Sequence, residues 1–409
     1  MKIFDVIIIG GGASGIMAAL SATDHGADVL IVEKNNRIGK KILITGNGRC
    51  NYTNITLTGK DYNHPDFVNK IFDDFSFQET IDYFENLGIM AKIEGEGKVF
   101  PLSEQASSFL DVFLYELNIR KVVVETENEV ISIIKKDNVF QINTNKNNNF
   151  FGKKVILSAG GKSMPGTGSD GSGYDLVKKY GHIITDVFPA LVKVRLECPY
   201  LKQLSGVKIN RQVDLLMHEE VLQSEQGDIL FTNYGISGPT ILELSRRINE
   251  LILKNKKPEI RIKLIQSISK SRIIERFNNF QDKEISQSLI GLVNKRFINV
   301  LLKESSIEKG NILVSDVPKT NLFRLIDLLF DWRFKIINTL GFEDSQVTAG
   351  GIDLSNIDNC SLESKLVKGL YFTGELVDID GKCGGYNLQW AWSSGYVAGK
   401  NASISAKND

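Results

Sequence analysis

Uninterrupted apolar runs and amphipathic stretches alternate from the first residues onward. Val6-Ile-Ile-Ile9 has no polar break, as a strand buried on both faces requires, and beyond a glycine cluster Ile16, Ala19, Leu20 and Ala22 fall at helical spacing. A second run, Val29-Leu-Ile-Val32, follows and ends in Glu33. Strand, helix and strand at these distances predict a parallel βαβ unit. Helical spacing returns over 66–88 (Phe67, Ile71, Phe75, Ile81, Phe84, Leu87), stopping at Gly88, and again from Ser103 to Leu117. From 121 to 157 the pattern reads as strands: Val122 to Glu125, Glu129 to Ile134, Val139 to Asn143, then Lys154 onward to Gly161. Residues 190–266 read as β-rich, with strands around Ala190 to Leu196, Gln212 to Met217 and Glu259 to Leu264. Residues 267–345 read as helical, around Ile285 to Leu302 and Asn321 to Leu340. The tail regains a strand at Gly369 to Thr373, a glycine-bearing loop at 381–387 and a helix from about Leu388 to Asn401.

The glycines carry the first chemistry. In Gly10-Gly-Gly12-Ala-Ser-Gly15, Gly10 permits the turn out of the strand, Gly12 lets bare backbone approach a phosphate and Gly15 allows the helix to sit close to the strand. The helix starting near Ala13 and Ser14 presents unpaired N–H groups to a pyrophosphate. Glu33, at the end of the second strand, is placed for ribose hydroxyls and would repel a 2′-phosphate. Together these predict a Rossmann site for the ADP half of FAD or NAD rather than NADP. An antiparallel excursion over 121–157 that returns to a buried strand is how glutathione-reductase-type FAD domains are built, an analogy of fold alone.

The tail selects FAD. A strand ending in Gly374-Glu375 offers backbone and a carboxylate to ribitol or pyrophosphate, and Gly384-Gly385 lets the chain pass close to a flat ring. A helix starting near Asn387 then aims its N–H groups at the place where a flavin's N1–C2=O edge gains charge on reduction.

Composition narrows the class. The 409 residues carry 49 Lys/Arg against 49 Asp/Glu, so net charge draws the chain to neither nucleic acid nor an anionic membrane. The cysteines at 50, 198, 360 and 383 show neither metal-ligand nor disulfide spacing. No apolar run approaches bilayer length, and the opening residues enter a strand with no signal-type region, so the expectation is a cytoplasmic protein with no membrane partner and no metal.

Four separated segments are similar to one family, the aminoacetone oxidase-like bacterial FAD-dependent flavoproteins, which also include a flavoprotein of bile-acid dehydroxylation. They are Gly39-Lys-Lys41 with Thr45-Gly-Asn-Gly-Arg-Cys-Asn51; Ala159-Gly-Gly-Lys-Ser-Met-Pro165 with Gly171-Ser-Gly-Tyr174; Leu230-Phe-Thr-Asn-Tyr-Gly-Ile-Ser-Gly-Pro239; and Gly374-Glu375 with Gly384-Gly-Tyr-Asn-Leu-Gln-Trp-Ala-Trp-Ser-Ser-Gly395. The resemblance implies an FAD domain assembled from both chain ends (1–189 and 346–409), an inserted barrel-like domain (190–266) and a helical insert (267–345). It implies that Gly48, Arg49, Cys50 and Asn51 lie against the flavin, that Val130 offers backbone to the adenine, and that Ala159, Gly160 and Gly161 line the diphosphate. Lys34 and Lys41, with Gly374, Glu375, Gly385, Tyr386, Asn387 and Leu388, complete the expected cofactor contacts. The activity implied is hydride transfer between FAD and a small organic substrate held between the FAD and β-rich domains, bordered by the Gly235 to Pro239 loop. The reaction is either reduction of an enone with a transient NAD(P)H donor or oxidation of a small amine by oxygen. Two positions depart from the pattern. Asn233 stands where the family often has His, which withdraws a candidate proton donor and leaves the catalytic residues unassigned, and Asn47 stands where it favours Gly.

Other signals weigh less. A second GxGxxG, Gly166 to Gly171, with Asp186 beyond it, reads as a loop over the FAD, because Pro165 and Lys162-Ser-Met separate it from a strand. Cys50 and Cys383 invite a redox role but lack local pair spacing. His25 and His182, each beside a glycine, read as surface or capping residues, and Trp390 and Trp392 as packing. Residues 241–303 hold 14 Lys/Arg against 6 Asp/Glu; such runs usually form solvated helix faces, with an RNA-associated role as the lesser reading.

Overall fold

The computed structural model describes residues 2–408; Met1 and Asp409, the outermost residues of the expected FAD domain, lie outside the described residues. The chain forms two compact units, one from Met1–Pro189 with Ser345–Asp409 and one from Ala190–Asp344.

The first unit is built on a sheet whose centre is parallel. Strand Ile3–Ile9 pairs with Val29–Val32 on one side and with Asn149–Leu157 on the other, Val123–Glu125 extends one edge, and Leu370–Phe372 adds beside Leu157. Val130–Lys136, Val139–Thr144 and the start of Asn149–Leu157 run antiparallel, the excursion that the alternation at 121–157 predicts. Ile7, Ile8, Ile31, Ile156 and Phe372 are fully buried, which explains why these central strands read as unbroken apolar runs. Helix Ala13–Asp24 crosses the terminal helix Tyr386–Asn408 closely. A Cβ on Gly395 or Gly399 would strike the carbonyl of Ser14 or Ala18, so two glycines one turn apart set the approach of the axes. The stretch 66–88 forms two helices, Pro65–Phe72 and Phe77–Asn86, because Ser76 caps the second through a reciprocal pair with Glu79.

The second unit contains a closed six-stranded antiparallel barrel in the order Val194–Glu197, Gly235–Ser237, Glu220–Phe231, Lys208–Met217, Glu259–Ile262 and Trp332–Thr339. Its last strand falls inside the stretch expected to be helical: a helix ends at Phe330, and Trp332–Thr339 returns to pair with Val194–Glu197 and close the barrel. The border at 266 is therefore not where strands give way to helices, and Ile229, Phe231, Phe277, Phe297, Leu301 and Trp332 share one core. The β-rich stretch likewise contains a 15-residue helix, Pro239–Leu253. Among the described residues no helix is long and apolar enough to cross a membrane.

Candidate functional site

At the end of the first strand the three motif glycines meet different surroundings. Gly10 has φ +103°, and a Cβ there would sit 2.5 Å from the Ser158 carbonyl oxygen. A Cβ on Gly15 would collide with the Gly10 carbonyl. Gly12 is the opposite case: its φ is −81°, and a Cβ there would have nothing within 4 Å. Backbone packing thus demands Gly10 and Gly15, while open space lies beside Gly12, at the head of a helix whose first internal donor is Ile16 N–H (2.9 Å to Gly12 O). The N–H groups of Ala13, Ser14 and Gly15 precede that donor and are available to an anion.

Glu33 is 7% exposed and fixes this loop. Its Oε2 accepts from Gly11 N–H (2.8 Å), and its Oε1 accepts from the backbone and side chain of Asn35 (2.8 and 2.7 Å). A carboxylate has about four acceptor directions, so capacity for a ribose hydroxyl remains. The Glu33 carbonyl accepts from Asn128 N–H (2.9 Å), which brings the segment leading into Val130 alongside. Lys34 pairs with Asp170 (2.7 Å), and Asn35 donates to the Thr167 carbonyl (3.1 Å). The second glycine motif is therefore folded down onto the Glu33 to Asn35 corner, with a short turn at Pro165–Thr167 and a seven-residue helix, and starts from no strand of its own.

Opposite the phosphate loop, Lys41 and Glu375 form an ion pair of 2.6 Å, and the other Glu375 oxygen accepts from Thr348 N–H and Oγ1. Gly161 packs on this pair: a Cβ there would lie 2.5 Å from Thr348 Oγ1 and 2.8 Å from Glu375 Oε1. A Cβ on Gly160 would lie 2.9 Å from Ser169 Oγ, a buried hydroxyl with no hydrogen-bond partner, and one on Gly10 would approach Ala159. Gly374 reaches the phosphate loop itself, since a Cβ there would sit 2.5 Å from Ser14 Oγ. Trp390 Nε1 donates to the Gly374 carbonyl (2.9 Å), and Trp392 Nε1 donates to the Tyr52 carbonyl (2.9 Å), so both indoles are buried ties.

The segment 45–51 is a run of left-handed residues, Gly46, Asn47, Gly48 and Cys50. Asn47 is exposed at φ +56°, a conformation that Asn tolerates better than other residues with a Cβ, which accounts for Asn at a glycine-favoured position. Arg49 lies over Phe100 (4.1 Å) and pairs with Glu94 and Glu104, so its guanidinium serves to hold the loop. Cys50 is fully buried, and that burial pushes its thiol up to about 12 against a partial offset from Thr45. Cys383 Sγ contacts Gln346.

Gly385 has a reason to be glycine within the chain itself. The volume a side chain would take there is filled by the Thr53 carbonyl, so the glycine is explained by chain packing against chain. The Asn387 side chain is also engaged: it accepts from Gly381 N–H (2.9 Å) and donates to the carbonyls of Gly381 and Lys382 (2.9 and 3.1 Å), clamping the loop. Tyr386 is buried, with its carbonyl accepting from Tyr62 Oη, and Leu388 packs on the core. What remains for a ligand is backbone. The first internal donor of the terminal helix is Gln389 N–H (3.0 Å to Gly385 O), leaving those of Tyr386, Asn387 and Leu388 ahead of it. That helix start and the Ser14 contact of Gly395 are nine residues apart, or about 13 Å along the axis. Two N–H clusters thus stand apart by a span suited to a diphosphate at one end and a ring at the other. With the open space at Gly12 and the orphaned Ser169 hydroxyl, they fit an extended dinucleotide of the FAD type.

His25 caps its helix through Nδ1 and Ser21 O. His182 is interior rather than superficial, edge-on to Phe372 with Nε2 near Ser364 Oγ, and burial lowers its pKa. Among the described residues no group of three or more His, Cys, Asp or Glu is placed to hold a metal ion. The part played by Thr348 was not visible in sequence; only its proximity to Glu375 reveals it.

Residues 4–401 match the family described as HI0933-like protein Rossmann domain. The chain is 38% identical over 403 residues to a 3-dehydro-bile acid delta(4,6)-reductase of Clostridium scindens (strain ATCC 35704 / DSM 5676 / VPI 13733 / 19), covering 97% of this chain and 98% of that one. It is 29% identical over 420 residues to a ribosomal RNA dihydrouridine synthase of Escherichia coli (strain K12), covering 100% of both. Among solved structures, a 3-ketosteroid-delta4-(5alpha)-dehydrogenase from Rhodococcus jostii RHA1 superposes with TM-score 0.51 at 14% identity over 98% of this chain and 97% of that one, a likeness of fold.

Proposed function

Because the chain belongs to the HI0933-like Rossmann family and is an FAD-dependent oxidoreductase, we propose that it reduces a carbon–carbon double bond conjugated to a carbonyl, with NAD(P)H as the electron source. One observation carries this reading: the names of the two full-length relatives described above denote saturation of a ring double bond, in a 3-oxo bile acid and in a uridine. Bound FAD supplies a hydride acceptor and donor. The chain's residues supply position. Backbone at Gly12 and the N–H groups of Ala13 to Gly15 would take the diphosphate, Glu33 would take the ribose, and Lys41, paired with a Glu375 that Thr348 holds in turn, would supply a positioned cation to the same cofactor. The N–H groups of Tyr386 to Leu388 would favour negative charge on a ring edge placed against them. The high thiol pKa of Cys50 argues against a thiolate relay of the disulfide-reductase kind. The second glycine motif builds no separate dinucleotide domain, so the nicotinamide donor would bind and leave within each turnover. Four free cysteines suit a reducing cytoplasm.

A second reading, uracil in RNA as the substrate, is favoured by the E. coli relative's name and by the 14 to 6 excess of basic residues over 241–303. The test is anaerobic reduction with NADPH or NADH, then addition of a cyclic enone, a 3-oxo-Δ4 steroid or a ribosomal RNA fragment. Reoxidation by an enone or steroid supports the first reading and by RNA alone the second. A flavin indifferent to both nucleotides and reduced by small amines would replace either with the oxidase reading.

A further inference from the structure

Asn51, like Ser169 at the other end of the site, is a buried polar residue with an atom that the chain itself leaves unanswered. It is 9% exposed, and its Oδ1 is enclosed with no hydrogen-bond partner. An unpaired buried amide oxygen is destabilising, and the chain has paired the side chains that follow on strand Thr53–Asn54: Thr53 donates to Gln389, and Asn54 bonds Gly384 O, Glu96 O and Thr56. Arg49 Nε and Tyr52 Oη beside it are also unpartnered, but the first belongs to a guanidinium already paired with Glu94 and Glu104 and the second to a ring packed against Phe84 and Phe109, which leaves Asn51 Oδ1 as the open acceptor next to the terminal helix start. It is also held in place. A Cβ on Gly385 would come within 3.1 Å of Asn51 Oδ1, and one on Gly46 would lie 2.5 Å from Asn51 N. Neither glycine can acquire a side chain without displacing it. Gly385 is the residue before the terminal helix, so the amide sits beside the N–H groups of Tyr386, Asn387 and Leu388, at the end of the site away from Glu33.

The end of FAD remote from the adenosine carries an imide, a ring N–H between two carbonyls. A carboxamide offers the complementary acceptor and donor, whereas a phosphate offers no donor for Oδ1 to accept from. We propose that the Asn51 carboxamide hydrogen-bonds the pyrimidine edge of the flavin and, with the helix start beside it, sets the flavin's two-electron potential. The proposal rests on the FAD of the family and is independent of which substrate or electron donor the enzyme takes.

The test uses holoenzyme of the parent, Asn51→Asp and Asn51→Leu, measuring the FAD dissociation constant and the midpoint potential of the bound flavin. Asn51→Asp keeps the shape, removes the donors and adds negative charge where charge accumulates on reduction. Its potential should fall by at least about 30 mV, the equivalent of a tenfold weaker preference for the reduced cofactor. That deficit relative to the parent should shrink at low pH, because a protonated carboxyl again offers a donor and an acceptor. Asn51→Leu should raise the FAD dissociation constant at least tenfold. If Asn51→Leu does not fold, the isosteric Asn51→Asp decides alone. A potential equal to the parent's at every pH would overturn the proposal, including the case where FAD affinity falls, since that combination means Asn51 only supports the loop.

Discussion

Replacing Gly12 with Ala separates cofactor binding from folding, because the structure assigns the three motif glycines different reasons for being glycine. At Gly12 the φ of −81° suits any L-residue, and the added methyl meets nothing within 4 Å. Removing glycine's freedom from the unfolded chain at a compatible position stabilises by about 0.4–1 kcal/mol. For a unit of this size that is a rise in melting temperature of roughly 1–4 °C without cofactor. The same methyl occupies the space through which a diphosphate would reach the helix N–H groups. Losing one hydrogen bond to a charged group, worth about 1.5–3 kcal/mol, weakens FAD binding roughly 10- to 150-fold. Gly15→Ala is the control: its methyl collides with the Gly10 carbonyl, an overpacking cost of about 1–3 kcal/mol, so it should melt lower with or without FAD. Thermal melts with and without saturating FAD, together with an FAD titration, read both effects. Gly12→Ala binding FAD like the parent would show that the space beside Gly12 is not the approach of the diphosphate, and melting lower without FAD would show that the space is not free.

Cys50 is a packed thiol, so Cys50→Ala should keep turnover within about threefold of the parent, and the native protein should resist iodoacetamide at Cys50 at pH 8, where the thiol stays protonated; loss of more than a hundredfold in single-turnover flavin reoxidation would restore a redox role. In the barrel unit, burial would by itself raise the pKa of Asp214, but bonds from Ser224, Gln212 and Arg261 and the charge of Lys263 outweigh it and hold the carboxyl below its ordinary value. A depressed folded value means this stabilisation is present above the unfolded carboxylate value near 3.9 and is lost as pH falls through the folded one. Asp214→Asn should accordingly destabilise the neutral-pH protein by about 3 kcal/mol in urea titration and narrow its gap to the parent below pH 4; a gap that does not change with pH would contradict the ion-pair account.

The opening motif was legible because each of its demands is local. Gly10, Gly12, Gly15 and Glu33 are close in sequence, and their surroundings follow from one strand–turn–helix. The terminal helix was legible as a helix, but its crossing with Ala13–Asp24 at Gly395 and Gly399 joins residues some 380 positions apart, and no periodicity encodes it. The same limit hid Thr348, whose role exists only through Glu375 and Lys41, and the packing of Gly385 on the Thr53 carbonyl some 330 positions away. Strand Trp332–Thr339 was misread because Phe330 and Trp332 continue the apolar spacing of the preceding helix; what turns it into a strand is the open barrel edge at Val194–Glu197. Glu220–Phe231 escaped notice for the converse reason, since much of it faces solvent and its polar residues carry no clear alternation.

The proposed function requires an FAD that a nicotinamide nucleotide reduces and a conjugated double bond reoxidises. The most direct measurement is the visible spectrum of the purified protein under anaerobic NADPH or NADH, followed in the same cuvette by a cyclic enone. Flavin bands should bleach with the nucleotide and return, without oxygen, in proportion to the enone added. A protein that holds flavin but bleaches with neither nucleotide would contradict the reductase reading, and one that cannot be reconstituted with FAD would contradict the site itself.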